Sequence, residues 1–332
     1  MKKTFVLISV LLIIGLMPLM ANGDDENAGG EAPLKIGYVS KMLTHPWFIQ
    51  ESKGIEDKCA ELGVEYKAID ANLNDEMFLS AIDTLIAQGT DAILFCITDP
   101  QLGPVVVDKC RDAGIAVMTI DDNIVDSSNK PVPHVGMPTT EVGYQGGEAL
   151  AKLARKRGFF EEGNNVKVMS ITVSSKTFLL ERTQGYHEAL KKFAPEIPDE
   201  NYIQEDSTTG MFEDVLPVAA SLLNANPDAT HWLVTGINDD SALAPLRVFE
   251  EAGFPLENVI ACGLGGYKTS YEEFQKDHNS YIVNKTQPYN EGQKAAELMY
   301  EYLTKGTPLP EITYVPGTIV YKENYQDFDW SM

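Results

Sequence analysis

Two adjacent carboxylates, Asp121 and Asp122, directly follow an apolar run of the sequence. Residues 117–120 are rich in β-branched and other apolar types, which is typical of a buried parallel strand. In an open α/β sheet, ligands bind in the crevice beyond the carboxyl ends of such strands. Carboxylates only accept hydrogen bonds, so this pair suits a ligand rich in hydroxyl donors. The structural alternative is a helix-capping Asp beside a solvated neighbour.

A second group of candidate residues follows the first predicted strand, which covers residues 34–40. Lys41 is either a donor into the crevice or a surface lysine. Trp47 and Phe48 lie where a flat ring can stack on the apolar face of a sugar. Both rings could instead pack under the following helix, and we favour binding for Trp47 and a core position for Phe48.

Candidate donors also occur in the second half of the chain. Arg182, early in a predicted helix, offers a fork of donors that can bridge hydroxyls or reach a ring oxygen. Alternatively, Arg182 could form a surface ion pair with Glu181. Asn238 ends a predicted strand, and its amide both donates and accepts, although Asn is also a common helix cap. We expect Asp239 and Asp240 to take that capping role.

No catalytic set emerges from the sequence, which contains neither GxSxG nor HExxH. The run Gly263-Leu264-Gly265-Gly266 lacks the full fingerprint of a phosphate-binding turn. Asp121 and Asp122 are adjacent and point apart, whereas glycoside hydrolysis needs two opposed carboxyl groups. We therefore predict a binding protein that is not an enzyme and that has no cofactor and no metal.

Strands and helices alternate in the elements that position these residues. The first predicted strands cover residues 34–40, 64–70, 92–97 and 117–120, and the helices between them cover residues 46–63, 75–88 and 104–113. This order is typical of a parallel sheet with helices on both faces. After a loop at residues 126–131, a short strand at residues 135–138 is expected to leave the first sheet.

The same α/β order then begins again. The predicted strands are residues 166–172, 231–236, 259–264 and 280–283, and the predicted helices are residues 142–156, 181–193, 211–223 and 291–303. The fold class is therefore α/β, with two doubly wound parallel-sheet lobes that meet at their strand ends. Each lobe contributes half of a crevice, and a hinge lets the lobes close.

The composition limits the possible partners and the compartment. The 332 residues carry a formal net charge of −23, which repels nucleic acid and anionic lipid. Residues 1–21 have the layout of a secretory signal peptide, and residues 22–33 read as an acidic disordered tether. An uncleaved leader that anchors the protein to the membrane is the alternative. We expect Cys59, Cys96, Cys110 and Cys262 to be buried free thiols.

Several motifs together carry a family resemblance. They are Pro46-Trp47-Phe48, the run Cys96 to Gly103, Ile120-Asp121-Asp122, Arg182-Thr183-Gln184-Gly185, and His231-Trp232-Leu233-Val234 with Asn238-Asp239. From Leu34 onward, the chain resembles the periplasmic sugar-binding proteins of ABC transporters, in particular their arabinose-binding group. The resemblance implies the type I periplasmic binding fold with a multi-strand hinge. It implies one lobe of residues 34–138 plus 286–311 and another of residues 139–285 plus 312–332.

The resemblance also implies which residues face the ligand. They are Lys41, Trp47, Cys96, Asp121, Asp122, Met137, Arg182 and Asn238, and Phe48 is added from its place beside Trp47. Four further positions depart from the family pattern. His45 stands where the family has Glu, Lys268 and Gly265 stand where it has Asp and Asn, and Phe178 lies near its Thr. We include His45, Phe178 and Lys268 among the candidate binding residues.

The predicted function is the capture of a monosaccharide, an arabinose-like pentose or a hexose, for delivery to the membrane permease of an ABC importer. The expected protein is a periplasmic monomer that does not bind nucleic acid. Two alternatives remain open. Because His45 and Lys268 replace acids, the ligand could be an anionic sugar or a sugar acid. The protein could also present its ligand to a chemoreceptor.

Overall fold

A computed structural model of the protein describes residues 32–330. The predicted leader and all but the last two residues of the predicted tether lie outside this range. None of the helices within residues 32–330 combines the length and the apolar character that a membrane crossing requires.

The described residues form twelve strands and nine α-helices. The strands are β1 (Lys35–Ser40), β2 (Glu65–Asp70), β3 (Ala92–Phe95), β4 (Ala116–Ile120), β5 (His134–Gly136), β6 (Val166–Thr172), β7 (Tyr202–Asp206), β8 (His231–Gly236), β9 (Val259–Gly265), β10 (Tyr281–Lys285), β11 (Ile312–Tyr314) and β12 (Thr318–Val320). The helices are α1 (Pro46–Leu62), α2 (Asp75–Ala87), α3 (Gly103–Asp112), α4 (Thr139–Lys156), α5 (Thr177–Phe193), α6 (Phe212–Ala225), α7 (Asp240–Glu251), α8 (Lys268–Phe274) and α9 (Pro288–Lys305).

The strands assemble into two six-stranded sheets, with the orders β11-β5-β4-β3-β1-β2 and β12-β10-β9-β8-β6-β7. Neighbouring strands are parallel except for β10 and β12. Alternate side chains of each sheet enter different apolar clusters, so that Tyr38 and Leu94 pack on one face and Val39 and Ile93 on the other. Helices therefore cover both faces, and the prediction of two doubly wound lobes is confirmed.

Each lobe contains one pair of helices that pack backbone against backbone. In the first lobe, a Cβ added to Gly54 of α1 would lie 2.0 Å from the carbonyl oxygen of Tyr289 in α9. In the second lobe, a Cβ added to Gly143 of α4 would lie 2.0 Å from the carbonyl oxygen of Arg182 in α5. Only glycine permits such a close approach, and in the second lobe it fixes the backbone that carries a candidate binding residue.

The chain crosses between the lobes three times within residues 32–330, after β5, after β10 and between β11 and β12. The expectation that residues 135–138 leave the first sheet is wrong for β5. This strand pairs with β4 and β11, and the chain departs only at Met137 and Pro138. The boundary predicted at residue 312 precedes β11, which belongs to the first sheet, so the third crossing lies at residues 315–317.

All four cysteines are buried and free, as predicted. Cys59 and Cys110 lie in α1 and α3, and Cys262 lies in β9. Cys96 directly follows β3 and is the one that lies beside the crevice.

Candidate functional site

The carboxyl ends of the two sheets face a common cleft with a volume of about 1220 Å³. Both lobes line it, as expected for a ligand site at the ends of parallel strands. All but two of the predicted binding residues contribute to its wall. These are Lys41, His45, Trp47, Phe48, Asp121, Asp122, Met137, Phe178, Arg182 and Asn238.

Lys41 and the two carboxylates form the charged centre of the first-lobe wall. The Nζ atom of Lys41 lies 2.5 Å from Oδ2 of Asp122 and 3.6 Å from Oδ2 of Asp121. Asp121 adopts a left-handed backbone conformation with φ of 69°, and its N–H donates to the carbonyl of Val135 at 2.9 Å. Asp tolerates this conformation better than most residues, which allows both carboxylates to turn toward the cleft.

The charges of this group depend on one another. Burial opposes the charge on Lys41, but Cys96, Asp121 and Asp122 together raise its pKa, so the ammonium group is retained. Burial and Asp121 raise the pKa of Asp122, and Lys41 counteracts this shift. The short contact is therefore an ion pair, and the two carboxylates keep oxygen atoms for hydroxyl donors.

Cys96 lies beneath the carboxylates and does not line the cleft. Its Sγ atom donates to Oδ2 of Asp122 at 3.3 Å. Ligand atoms of Cys96, Asp121 and Asp122 lie within 4.8 Å of one another, a spacing that could hold a metal ion. However, burial raises the pKa of the Cys96 thiol well above its usual value, and the Lys41 ammonium lies against the same carboxylates. This arrangement favours an internal cation over a metal.

Two further acids lie behind this centre, and sequence reasoning missed both. Glu51 accepts a hydrogen bond from the hydroxyl of Tyr38, whereas both carboxyl oxygens of Glu291 are buried with no partner among the described residues. Burial, followed by the charge of Asp121, raises the pKa of Glu51 to about 8 and that of Glu291 well above its usual value. For Glu51, the sequence did contain a signal of burial, because this acid lies between the apolar positions Phe48 and Ile55 on one face of α1.

Aromatic side chains form the next part of the first-lobe wall. The Nδ1 atom of His45 accepts the N–H of Trp47 at 3.2 Å and caps α1. Trp47 and Phe48 are both buried in the core and also border the cleft, and Lys41 Nζ lies 5.4 Å from the Phe48 ring centroid. The Nε1 atom of Trp47 is buried without a partner among the described residues.

Arg182 occupies the opposite wall, on α5. Its Nη1 group donates to the carbonyl of Ile237 at 2.7 Å, and its guanidinium lies 5.5 Å from the ring centroid of Phe178. Burial lowers its pKa and the charge of Asp121 opposes that shift, so the two groups act on each other across the cleft. The Nε atom of Arg182 is buried and has no partner among the described residues.

Asn238, rather than the acids after it, caps α7. Its Oδ1 atom accepts the N–H of Ser241 at 2.8 Å, and its Nδ2 atom donates to the carbonyl of Gly210 at 3.1 Å. The prediction that Asp239 and Asp240 cap this helix is wrong. Asp239 is buried and accepts backbone N–H groups from the loop after β9, while Asp240 accepts the N–H of Phe212. Asn238 thus has one N–H left for a ligand.

Lys268 does not join the cleft wall. Its side chain is 78% exposed and lies 3.5 Å from Glu272 on the same helix. Its long stem carries the charge into solvent, so this position does not make the cleft less acidic. The cleft instead gains residues that sequence reasoning did not select, namely Tyr144, Tyr267 and Tyr314 together with Glu141, Glu181 and Glu188.

Comparison with known proteins agrees with this architecture. Residues 36–307 match the family model described as the periplasmic binding protein domain. The chain is 30% identical to the L-arabinose-binding periplasmic protein of Escherichia coli, over 96% of this chain and 95% of that protein. It is also 30% identical to the L-arabinose-binding periplasmic protein of Azospirillum brasilense, over 96% and 94%.

A solved structure gives the same fold. The periplasmic solute-binding protein of Actinobacillus succinogenes with bound D-allose superposes with a TM-score of 0.71 at 22% identity. The match covers 89% of this chain and 100% of that chain.

Proposed function

The chain belongs to the periplasmic binding protein domain family, and from this premise we propose that it captures a neutral monosaccharide for an ABC importer. The observation that carries the proposal is the group of Lys41, Asp121 and Asp122 facing Arg182 across one cleft. Two relatives at 30% identity are named as L-arabinose-binding proteins, which makes a pentose the first ligand to test.

The chemistry of the cleft matches a polyhydroxylated ring. Asp121 and Asp122 accept hydrogen bonds from hydroxyl groups, while Arg182 and the N–H of Trp47 donate them. The ring of Trp47 can cover the apolar C–H face of a sugar. Because each lobe holds part of this set, the ligand binds fully only when the lobes enclose it.

A neutral ligand fits this charge distribution better than an anionic one. Glu141, Glu181 and Glu188 also line the cleft, and the ion-paired centre still carries more carboxylates than ammonium groups. Of the two residues that favoured an anionic sugar, Lys268 lies outside the cleft wall, whereas His45 lines it and burial lowers the pKa of its imidazole. A carboxylate on the ligand would be repelled by the carboxylates of the cleft.

The protein acts as an exported monomer in this proposal, since one chain supplies both walls of the cleft. The relatives named above are periplasmic proteins, which supports the same location here. The closed, loaded form would then deliver the sugar to a membrane permease.

Calorimetry and thermal unfolding with a panel of sugars test the proposal. The panel contains L-arabinose, D-ribose, D-allose, myo-inositol and the uronic acids that match the neutral hexoses. We expect one neutral sugar to bind most tightly, to raise the unfolding temperature as its concentration rises and to reduce the radius of gyration in solution scattering. Tighter binding of the acids, or no binding by any neutral sugar, would contradict the proposal.

A further inference from the structure

Tyr267 borders the cleft from the second lobe, in the loop that connects β9 to α8. Its ring centroid lies 6.1 Å from that of His45 in the first lobe, with the two rings nearly perpendicular. Burial raises the pKa of Tyr267, and the charges of Asp121 and Arg182 act on it with opposite signs. Asp121 and Arg182 line the same cleft as Tyr267, and the phenol has no hydrogen-bond partner among residues 32–330.

The loop around Tyr267 is held in a single conformation. Oδ2 of the buried Asp239 accepts the N–H groups of Gly266 and Tyr267 at 2.9 and 2.8 Å. Gly265 has a φ of 137°, and a Cβ at that position would lie 2.8 Å from the Tyr267 ring. Glycine at this position is what allows the ring to turn against the cleft wall.

A second contact supports the loop from beneath. The Nζ atom of Lys285 donates to the carbonyl oxygen of Gly266 at 3.3 Å. The same Nζ atom lies 5.1 Å from the ring centroid of Trp330, which keeps the lysine in place. The position of Tyr267 is therefore fixed by the second lobe itself, before any ligand binds.

We propose that Tyr267 is a specificity-determining residue whose phenolic oxygen bonds one ligand hydroxyl between Asp121 and Arg182. This inference rests on the proposed capture of a monosaccharide. A phenol both donates and accepts, so a ligand hydroxyl can donate to Asp121 while it accepts from Tyr267. The pair selects sugars that carry a hydroxyl at that one ring position and in that one configuration.

The contact with His45 adds a steric condition. His45 and Tyr267 come from different lobes, and their rings are in edge-to-face contact. A ligand group placed between the two rings would separate them, so we expect the site to exclude a bulky substituent there.

A chemical double-mutant cycle tests this assignment. Tyr267→Phe removes the hydroxyl and keeps the ring, and the ligands are the panel sugar that the wild type binds most tightly and its monodeoxy analogues. We expect Tyr267→Phe to weaken binding of the parent sugar about tenfold, in line with the loss of one hydrogen bond. One monodeoxy analogue should bind the wild type and the variant equally, because it lacks the hydroxyl that the phenol recognises.

Tyr271→Phe provides the matched control. Tyr271 lies on α8, and its ring contacts Tyr325 and Trp330 rather than the cleft, so its affinity for every ligand should equal that of the wild type. An equal loss with all analogues would make Tyr267 a structural residue and would overturn the inference, as would no loss at all. Failure of the wild type to bind any panel sugar would instead overturn the proposed function, and this inference with it.

Discussion

The two lobes hold their halves of the cleft in different ways. In the first lobe, the candidate binding groups satisfy one another, since Lys41 pairs with Asp121 and Asp122. In the second lobe, Arg182 and Asn238 are tied to backbone groups of their own lobe. The first wall is thus organised by paired charges, and the second by hydrogen bonds to the backbone.

The helix pairs behind the walls repeat this contrast. Both pairs pack through glycine, but the α1–α9 contact also buries the carboxyl groups of Glu51 and Glu291. At the α4–α5 contact, Glu181 is only half-buried and accepts a hydrogen bond from the Thr139 hydroxyl, and the close approach at Gly143 fixes the backbone of Arg182. The first lobe therefore depends on protonation, and the second lobe depends on the fit of one helix against another.

The largest effect is expected from the charged centre. Asp121→Ala should weaken binding of the preferred neutral sugar by about 2–4 kcal/mol, since it removes a charged acceptor and leaves Lys41 with one partner fewer. Isothermal calorimetry measures the change, and circular dichroism checks the fold. Lys268→Ala is the control and should not change the affinity. Unchanged affinity in Asp121→Ala would remove this residue from the site.

The next effect concerns the dependence of stability on pH. Burial, then the charge of Asp121, raises the pKa of Glu51 to about 8. The folded state therefore keeps a proton that the unfolded chain releases near its ordinary pKa of about 4.3. The stability that Glu51 contributes is complete below that ordinary value and is lost as pH rises through about 8.

Glu51→Gln should reduce this loss by up to about 1.4 kcal/mol per pH unit, because glutamine keeps an acceptor for Tyr38 and does not titrate. Urea unfolding at intervals between about pH 5 and about pH 8 measures the difference from the wild type. Glu56→Gln, at an exposed position of the same helix, is the control. Parallel stability curves for the wild type and Glu51→Gln would show that Glu51 does not titrate with folding.

The smallest effects are expected from alanine substitutions at the glycines of the two helix pairs. A Cβ on Gly292 would lie 2.1 Å from the carbonyl oxygen of Glu51, and one on Gly185 would lie 2.0 Å from that of Thr140. Gly292→Ala and Gly185→Ala should each lower stability by about 1–3 kcal/mol, because a backbone oxygen cannot move aside cheaply. Both variants should also lower the affinity, since α5 carries Arg182 and α1 carries Trp47.

Gly306→Ala is the control for both variants. Gly306 has a φ of 68° and open space around its Cα, so alanine there costs only backbone strain of about 1 kcal/mol. Urea unfolding measures the stability of all three variants. If Gly292→Ala and Gly185→Ala lose no more stability than Gly306→Ala, the helix pairs tolerate a methyl group. Unchanged affinity in both variants would show that the packing of these helices does not position the cleft residues.

Much of the architecture could be predicted from the sequence, because apolar runs and helical periodicity are local signals. The runs that became β3 and β4 are almost wholly apolar, and Pro46 and Gly63 mark the ends of α1. The strand β7 was missed because its segment ends in Gln204, Glu205 and Asp206, which do not resemble a buried strand. It lies at the edge of its sheet, where such residues are tolerated.

The candidate residues at strand ends could be predicted for the same reason, as Asp121 illustrates. Tyr267 could not, because its position depends on a hydrogen bond that its N–H donates to Asp239, a residue 28 positions earlier in the chain. Lys268 could not be placed either, since one helical turn decides whether a side chain faces the cleft or solvent. Both outcomes depend on tertiary contacts that periodicity does not encode.

The return of the chain to the first lobe through α9 and β11 has a consequence for the order of folding. During synthesis, β1 to β5 are complete long before Pro288–Lys305 and Ile312–Tyr314 exist. Until then α1 lacks its helical partner, β5 lacks its neighbour on one side and Glu51 has no α9 to cover it. The first lobe therefore stays open while β6 to β10 of the second sheet are synthesised, and it is completed by α9 and β11 just before β12 completes the second sheet.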